Sequence, residues 1–272
     1  KINRVAAIFE NARPIYEALP EYSKAMEDPG DLTGDIEVNH ISFRYGAEAP
    51  LILDDVSLHI HPGEYVAIVG PSGSGKSTLF RVLLGFEKPE VGKVYYNGQD
   101  MSGLDIRKIR KQIGVVLQNS SLMSGDIYSN IAGPHVHMAL EDAWEAARRA
   151  GMEQDILKMP MGMQTILAEG GSTLSGGQRQ RLFIARAIAN KPRILYFDEA
   201  TSALDNKTQA IVSRSLDRLN VTRIVIAHRL STIINCDRII VLNKGRIIEE
   251  GSYDELIANK GLFAEMAGRQ LA

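Results

Sequence analysis

A glycine-rich segment contains the side chains best suited to phosphate chemistry. Residues 70–77 read Gly-Pro-Ser-Gly-Ser-Gly-Lys-Ser, which fits the G-x-x-x-x-G-K-S/T spacing of a loop that cradles nucleotide phosphates. Glycines let the backbone approach the phosphates and direct its N–H groups at them, and the N-terminus of a following helix attracts the same anion. Lys76 would add charge at the β- and γ-phosphates, and the Ser77 hydroxyl would bind Mg²⁺. The expected nucleotide contacts are Gly70, Pro71, Ser72, Gly73, Ser74, Gly75, Lys76, Ser77 and Thr78.

Two acidic residues follow an apolar segment later in the chain. Residues 194–197 read Ile-Leu-Tyr-Phe and are followed directly by Asp198 and Glu199. A buried strand here would carry both carboxylates to the edge of a sheet beside the phosphate loop. Asp198 would then orient Mg²⁺, and Glu199 would polarise the water that attacks the γ-phosphate. Many strands end in Asp or Glu without any chemistry, so an ordinary strand end is the alternative.

The pattern of apolar residues predicts the elements that position these groups. The strand patterns fall at residues 36–45, 56–60, 65–69, 113–117, 194–197, 223–227 and 238–242, with 247–248 after a turn. Ile36 and Val38 share one face while Ile41, Phe43 and Tyr45 continue in the opposite phase, which indicates a bulge or bend near residues 39–40. Helical patterning dominates from 119 to about 190. We therefore predict an α/β fold with a parallel sheet and a helical insertion.

Composition excludes several classes of protein. The chain has 272 residues, with 31 Lys and Arg against 33 Asp and Glu, for a net charge of −2. No basic patch stands out, which argues against nucleic acid as a partner. No window approaches 18 uninterrupted apolar residues, so no membrane span is predicted. The single Cys236 cannot form an internal disulfide and is expected to be a small core residue.

A third segment limits the class of nucleotide-binding protein to which the chain can belong. Leu174-Ser175-Gly176-Gly177-Gln178 lies between the phosphate loop and the acidic pair, and His228 follows a predicted strand. This order and spacing resembles the nucleotide-binding domain of an ABC (ATP-binding cassette) ATPase over about residues 36–260. The resemblance implies a P-loop NTPase core with an antiparallel β subdomain and an inserted helical subdomain at about 119–190. A lone Ser-Gly-Gly would be an ordinary glycine turn before a helix.

The resemblance also implies cofactors and residue roles. ATP and Mg²⁺ would be the cofactors, and a second nucleotide-binding domain, identical or paralogous, would be a partner whose γ-phosphate the 174–178 segment caps. The catalytic residues would be Lys76, Gln118, Glu199 and His228. Further nucleotide contacts would be Tyr45, Gln118, Ser175, Gly176, Gly177, Gln178, Asp198 and Asp205, and the Mg²⁺ ligands would be Ser77, Gln118 and Asp198. Tyr45 would stack on adenine or, alternatively, pack in the core. His228 would sense the γ-phosphate or be an ordinary packed or surface histidine.

Several segments resemble the exporters within this family. Residues 1–34 are expected to be a lead-in helix and linker from a missing N-terminal membrane domain, and residues 35–272 the nucleotide-binding domain. A surface helix packed on its own domain is the alternative for the lead-in. Residues 29–36, 159–163 and 169–174 resemble the NHLM-type bacteriocin exporters, which implies a ribosomally made peptide as cargo. The partner would be a transmembrane domain of the same or a companion chain, at the cytoplasmic face of the inner membrane.

One departure and three alternatives accompany this interpretation. Exporters often have Gly-Glu-x-Gly before the signature, whereas this chain has Ala168-Glu169-Gly170-Gly171, which leaves the role of Glu169 toward the membrane partner open. An ABC importer ATPase usually starts near the first strand, without such a lead-in. Soluble ABC ATPases that act on DNA or ribosomes have long coiled-coil heptads or two cassettes per chain, and neither pattern occurs here. A cassette that only binds nucleotide would lack a catalytic residue, yet all those expected are present.

Overall fold

The structure, a computed structural model, describes residues 9–13, 26–118, 120–133, 138–167, 173–198, 204–227 and 229–271. Residues 9–13 are helical, whereas the rest of the expected lead-in helix lies outside the described residues. The strands are β1 (Ile36–Phe43), β2 (Leu53–Ile60), β3 (Tyr65–Val69), β4 (Val91–Tyr96), β5 (Gln99–Asp100), β6 (Ile113–Val116), β7 (Gly125–Asp126), β8 (Ile166–Leu167), β9 (Ile194–Asp198), β10 (Thr222–Ile226), β11 (Arg238–Asn243) and β12 (Arg246–Gly251). The helices are α1 (Lys76–Leu83), α2 (Ile106–Lys111), α3 (Ile127–Ala132), α4 (Leu140–Arg149), α5 (Glu153–Leu157), α6 (Gly176–Ala189), α7 (Asn206–Asp217), α8 (Leu230–Ile233), α9 (Tyr253–Asn259) and α10 (Leu262–Leu271).

A central sheet of six strands carries the loops that matter for the site. Its order is β12-β11-β3-β10-β9-β6, and every pair is parallel except β11 with β12. The strands β3 and β9 are buried at every residue, as their uninterrupted apolar runs predict. Because the strands are parallel, the loops that follow β3, β6, β9 and β10 leave from one edge of the sheet. The predicted α/β core with a parallel sheet is confirmed.

A second, antiparallel sheet has the order β2-β1-β4-β5. Its first strand is irregular between Val38 and Ile41, where the register shifts and His40 takes a φ of 50°. This irregularity is the predicted bulge, and it keeps Ile36, Val38, Ile41 and Phe43 all buried despite their change of phase. Asn97 and Gly98 form the two-residue turn between β4 and β5 with φ of 52° and 72°.

The region between β6 and β9 is mainly helical and contains α3 to α6. It also includes a short antiparallel pair, β7 with β8, in which Gly125 lies opposite Leu167. The sequence pattern does not predict this pair, because two residues per strand are too few to show an alternation. Among the described residues, no helix is long and apolar enough to cross a membrane.

The two faces of the central sheet pack against different partners. Ala67 and Val69 of β3 face the core that contains the helical region, whereas Val66 and Ile68 face a core shared with α1 and the antiparallel sheet. Cys236 is buried in the first of these cores, as expected, and its burial raises the pKa of the thiol to about 12. The sheet thus holds α1 between itself and the antiparallel sheet.

The segment before β1 lies against the domain. The Leu32 side chain is 2% exposed, and its N–H donates to Gln112 Oε1 at 2.8 Å. Gln112 Nε2 in turn donates to the Gly30 carbonyl at 2.7 Å. Asn97 Oδ1 accepts from the N–H and the hydroxyl of Thr33. Residues 30–33, part of the lead-in and linker expected over 1–34, are therefore held by Gln112 and Asn97, while the boundary at residue 34 stays a prediction.

Candidate nucleotide-binding site

The loop between β3 and α1 has the backbone geometry that its glycines predict. Gly70, Gly73 and Gly75 have φ of 150°, 77° and 103°, a region that other residues rarely adopt. A Cβ at Gly70 would lie 2.0 Å from the Leu242 carbonyl oxygen, and one at Gly75 would lie 2.8 Å from that of Ile52. These glycines therefore let the loop curl tightly against β11 and the start of β2. Pro71, Ser72 and Gly73 are exposed, whereas Ser74 is buried.

Lys76 is the first residue of α1 and is buried in the loop. Its Nζ donates to the carbonyl oxygens of Gly70 and Pro71, both at 2.9 Å. These two bonds fold the ammonium group back over the loop, where it adds positive charge at the helix N-terminus. Gly75 precedes the helix in the left-handed conformation, and no side chain caps the first turn. The loop is thus suited to an anion.

Ser77 and Asp198 come together from two different elements, α1 and β9. The Ser77 Oγ lies 3.4 Å from Asp198 Oδ2, where the hydroxyl donates to the carboxylate. Asp198 is the last residue of β9, is buried, and pairs in register with Ile226 of β10. The sequence predicted both residues at one sheet edge. The structure places them there, although they are 121 positions apart in the chain.

A pair of buried tyrosines couples α1 to β9. Tyr96 Oη donates to the Leu83 carbonyl at 2.7 Å and lies 3.0 Å from Tyr196 Oη. The Tyr196 ring packs edge-to-face on Phe80, with centroids 5.2 Å apart. Burial raises the pKa of both tyrosines, so they stay neutral hydrogen-bonding groups. This contact fixes the helix that carries Lys76 and Ser77 against the strand that carries Asp198.

Two of the four other expected residues, Gln118 and Tyr45, lie within the described part of the chain. Gln118 is exposed, in a turn after β6 in which the Ser120 N–H donates to the Leu117 carbonyl at 3.1 Å. Tyr45 follows β1 and is 57% exposed, with its ring edge-to-face on Phe43 at 4.9 Å. Tyr45 is therefore not a core residue, and the alternative of core packing is wrong. Glu199 and His228 lie outside the described residues, as do Ala168, Glu169, Gly170 and Gly171.

The signature segment forms the start of α6. Ser175 is its N-cap: Ser175 Oγ accepts from the Gln178 N–H at 3.2 Å, and Gln178 Oε1 accepts from the Ser175 N–H at 3.0 Å. Leu174 is buried and anchors the segment, whereas Ser175 and Gly176 are exposed and Gly177 is half-buried. The exposed start of a helix with a serine hydroxyl and bare glycine backbone can accept an anion from another molecule.

The structure assigns other contacts to two of the expected nucleotide-binding side chains. Gln178 Nε2 donates to Asp155 Oδ1 at 2.9 Å, and Arg181 donates to Asp155 Oδ2 at 2.7 Å. Asp205 is the N-cap of α7, where it accepts from the N–H and the hydroxyl of Thr208 at 2.9 and 2.8 Å. Both residues shape the loops near the expected interface. Sequence reasoning missed Asp155, because it is 23 residues from Gln178 and belongs to no motif.

Comparisons with known proteins agree with this geometry. A family model described as "ABC transporter" matches residues 53–202. The "Toxin RTX-III translocation ATP-binding protein" of Actinobacillus pleuropneumoniae is 48% identical over 236 residues, which cover 86% of this chain and 33% of that protein. The "Alpha-hemolysin translocation ATP-binding protein HlyB" of Proteus vulgaris is 46% identical over 231 residues, which cover 84% of this chain and 33% of that protein. The chain thus spans about a third of the length of the curated relatives it matches.

A solved structure extends the similarity to the fold. The "Structure of a bacterial Atm1-family ABC exporter with ATP bound" is similar with a TM-score of 0.89 and 36% sequence identity, covering 98% of this chain and 47% of that chain. The family model covers more than half of the chain, and the matched residues include the phosphate loop and Asp198, which lie at one edge of the sheet. The chain therefore belongs to the ABC transporter family and forms an ATP-binding domain of the exporter type with the P-loop NTPase fold.

Proposed function

We propose that this chain binds Mg²⁺ and ATP and hydrolyses the ATP to power the export of a polypeptide across a membrane. The observation that carries the proposal is the meeting of Lys76, Ser77 and Asp198 at one sheet edge, within a chain that also presents an exposed signature segment. A loop that only bound nucleotide would not need the exposed signature segment.

The donor atoms beside the loop fit Mg²⁺. Mg²⁺ prefers hard oxygen ligands and is usually held by one or two carboxylates or hydroxyls together with substrate phosphates. The Ser77 hydroxyl and the Asp198 carboxylate are such groups and lie 3.4 Å apart. Ser77 and Asp198, with Gln118 as the third expected ligand, would hold the ion. Bound there, it would neutralise charge on the β- and γ-phosphates.

The remaining roles follow the order of the chain around the site. Lys76 binds the phosphates through its positioned ammonium group. Glu199, directly after Asp198, accepts the proton of the attacking water or orients that water, and His228, two residues after the end of β10, contacts the γ-phosphate. Tyr45, exposed after β1, stacks on the adenine ring.

The active form is proposed to be a dimer of two such domains. The signature of one domain, at the capped start of α6, would close over the phosphates held by the other domain. Ser175 and the Gly176 and Gly177 backbone would contact the γ-phosphate, while Gln178 positions them through its bonds to Ser175 and Asp155. A two-fold arrangement of this kind would enclose two ATP molecules.

The partner and the cargo are proposed from the relatives. Two of these relatives are named for the translocation of a toxin and of alpha-hemolysin, and the similar solved structure is a bacterial exporter. We infer that this domain works with a transmembrane domain, at the cytoplasmic face of the membrane, on a polypeptide cargo. A bacteriocin-like peptide is the finer proposal. The sequence encoded upstream of Lys1 tests the exporter assignment: hydrophobic spans there would support it, and their absence would favour an importer or a soluble ABC ATPase.

The catalytic assignment is tested by Glu199→Gln. This variant removes the proposed proton acceptor with little change in size, so turnover should fall by about 10²–10⁴-fold while ATP affinity is retained. Phosphate release and nucleotide titration on the purified chain measure the two quantities. Glu265→Gln, at an exposed position of α10, is the matched control and should leave both unchanged. Near-normal turnover of Glu199→Gln would rule out this role.

A further inference from the structure

Two histidines and a carboxylate cluster where residues 28–35 enter the antiparallel sheet. His59 and His61 are two positions apart at the end of β2, and Asp35 directly precedes β1. His59 Nε2 lies 2.8 Å from Asp35 Oδ1, and the two imidazole ring centroids are 4.4 Å apart. One ligand atom from each of the three residues lies within 4.8 Å of the others. The cluster is near the amino end of β3, whereas the phosphate loop follows the carboxyl end of that strand.

The donor set selects a class of ion. Imidazole nitrogens suit Zn²⁺ and other late first-row metals, whereas Mg²⁺ prefers oxygen. In a tetrahedral zinc site the metal–ligand bonds are about 2.0–2.1 Å, which places the donor atoms about 3.3 Å apart. Asp35 is half-buried and both histidines are exposed, so side-chain torsions can close the remaining distance without disturbing the core.

Charges around the cluster favour a cation. Glu37 lies directly opposite His59 in the β1–β2 register, and Glu64 Oε2 accepts from the His61 N–H at 2.8 Å. The nearby Arg238 donates to the His59 carbonyl, but its guanidinium also pairs with Glu64 at 2.6 Å and with Glu250 at 2.5 Å. The positive charge of this arginine is thus offset by two carboxylates, and Asp35 and Glu37 add negative charge beside the histidines.

We propose that Asp35, His59 and His61 form a binding site for Zn²⁺, with water completing the coordination. The ion would fasten Asp35, at the end of the segment that Gln112 and Asn97 hold against the domain, to the end of β2. The site does not depend on nucleotide, and its expected role is to fix the entry of the N-terminal segment into the sheet.

Zinc titration of the full 272-residue chain, without nucleotide, tests the proposal. A chromogenic zinc indicator competing for the ion should report one Zn²⁺ bound through the cluster, and millimolar Mg²⁺ should not displace it. His59→Ala and His61→Ala should each weaken the affinity by at least about tenfold, and Asp35→Asn should also weaken it. Zn²⁺ should raise the Tm of the unchanged chain and not that of the histidine variants. Circular dichroism of each variant shows whether it is folded.

Two controls separate this site from other histidines. His40 pairs with Asp55 at 2.6 Å but belongs to no cluster of three ligands among the described residues. His40→Ala should therefore keep zinc affinity within about twofold. A second His-x-His pair, His135 and His137, is tested by replacing both with Ala, which should also leave the affinity unchanged. Zinc affinity that survives His59→Ala and His61→Ala, or a dissociation constant for Zn²⁺ above about 100 µM in the unchanged chain, would overturn the proposal.

Discussion

For individual residues, hydrogen bonds within the protein orient the polar side chains of the phosphate loop. The Lys76 ammonium is oriented by two carbonyls of its own loop, and the Ser77 hydroxyl is oriented by Asp198. Charge-assisted hydrogen bonds of this kind are stronger than neutral ones and fix the side chains that make them. Lys76 and Ser77 are thereby held at the start of α1, beside the carboxyl end of β9.

Because the Tyr45 side chain is exposed, its replacement can change nucleotide binding with little change in stability. Tyr45→Ala should weaken the binding of ATP and of GTP by similar factors, since stacking uses the face of the base and contributes about 1–3 kcal/mol. The side chain is 57% exposed, so the midpoint of thermal unfolding should change little. Titration with each nucleotide measures the effect, and Tyr45→Phe should restore both affinities. Normal nucleotide binding by a destabilised Tyr45→Ala protein would refute stacking.

Cys236 gives a second prediction, which depends on pKa. Burial raises the pKa of this thiol to about 12, so at pH 8 far less of it is thiolate than in a free cysteine. Since the thiolate is the nucleophile, Ellman's reagent should label the folded chain at least about a hundredfold more slowly than the chain unfolded in guanidinium. Cys236→Ser should give no signal in either state. Fast labelling of the folded chain would contradict a buried thiol.

Among the elements, α6 is held in place at both ends. Side chains hold its N-terminus, and the backbone of β6 packs closely against its last turn. The capping box of Ser175 and Gln178 satisfies N–H groups at its start, and Asp155 extends that network to α5. Nearer its end, the helix crosses β6 at Gly114, where a Cβ would lie 2.2 Å from the Ala187 carbonyl oxygen. The signature is therefore positioned by contacts from two different elements.

Gly114→Ala tests the close approach. The added methyl group would also lie 2.6 Å from Leu195 Cδ2, so α6 or β9 must shift, and the free energy of unfolding should fall by about 1–3 kcal/mol. Gly103→Ala is the matched control, because no described atom lies within 4 Å of its added Cβ and its φ is ordinary. That control should change stability by less than about 0.5 kcal/mol. Urea unfolding of both variants measures the difference, and equal stabilities would show that the helix accommodates the methyl group.

Local patterns predicted much of this architecture, and distant contacts account for what they missed. The β1 bulge and the buried strand β3 follow from neighbouring residues, because the alternation along a pleated strand and an uninterrupted apolar run are both local patterns. The Tyr96–Tyr196 contact joins residues 100 positions apart, and no periodicity in the sequence predicts it. The alternative that Tyr45 packs in the core is wrong because β1 ends at Phe43. A residue beyond the end of a strand no longer shares the buried face of that strand.

At the scale of the whole molecule, the sheet collects the motifs at one edge while its two faces are packed independently. The loop after β3 and the acidic end of β9 leave this edge together. The signature is attached instead to α6, in the helical region on one face of the sheet. The carboxyl end of α6 leads into the amino end of β9, so the helix runs antiparallel to that strand. The N-terminus of α6 therefore points toward the edge of the sheet where the phosphate loop lies. One surface of the domain therefore presents a phosphate loop and a signature, and in the proposed dimer each would form one half of a different composite site.

Substitutions at Ser175 test whether a second domain completes the site. Ser175→Arg should abolish turnover and leave ATP binding intact, because the phosphate loop of the same chain is unchanged. Ser252, which forms an equivalent capping box with Glu255 at α9, is the matched control. Both substitutions remove an N-cap, at a cost of about 1 kcal/mol, but Ser252→Arg should keep its turnover.

Mixing two inactive variants gives the decisive measurement. In a mixed dimer of Ser175→Arg and Lys76→Ala, one composite site combines an intact Lys76 from the first chain with an intact Ser175 from the second. Turnover should therefore reappear on mixing, and the specific activity of the unchanged chain should rise with protein concentration while dimers are scarce, since dimer concentration then follows the square of total protein. Phosphate release over a dilution series, with sedimentation at the same concentrations, measures both. Activity that stays flat on dilution among monomers, together with no recovery on mixing, would mean that each domain hydrolyses ATP without the signature of another.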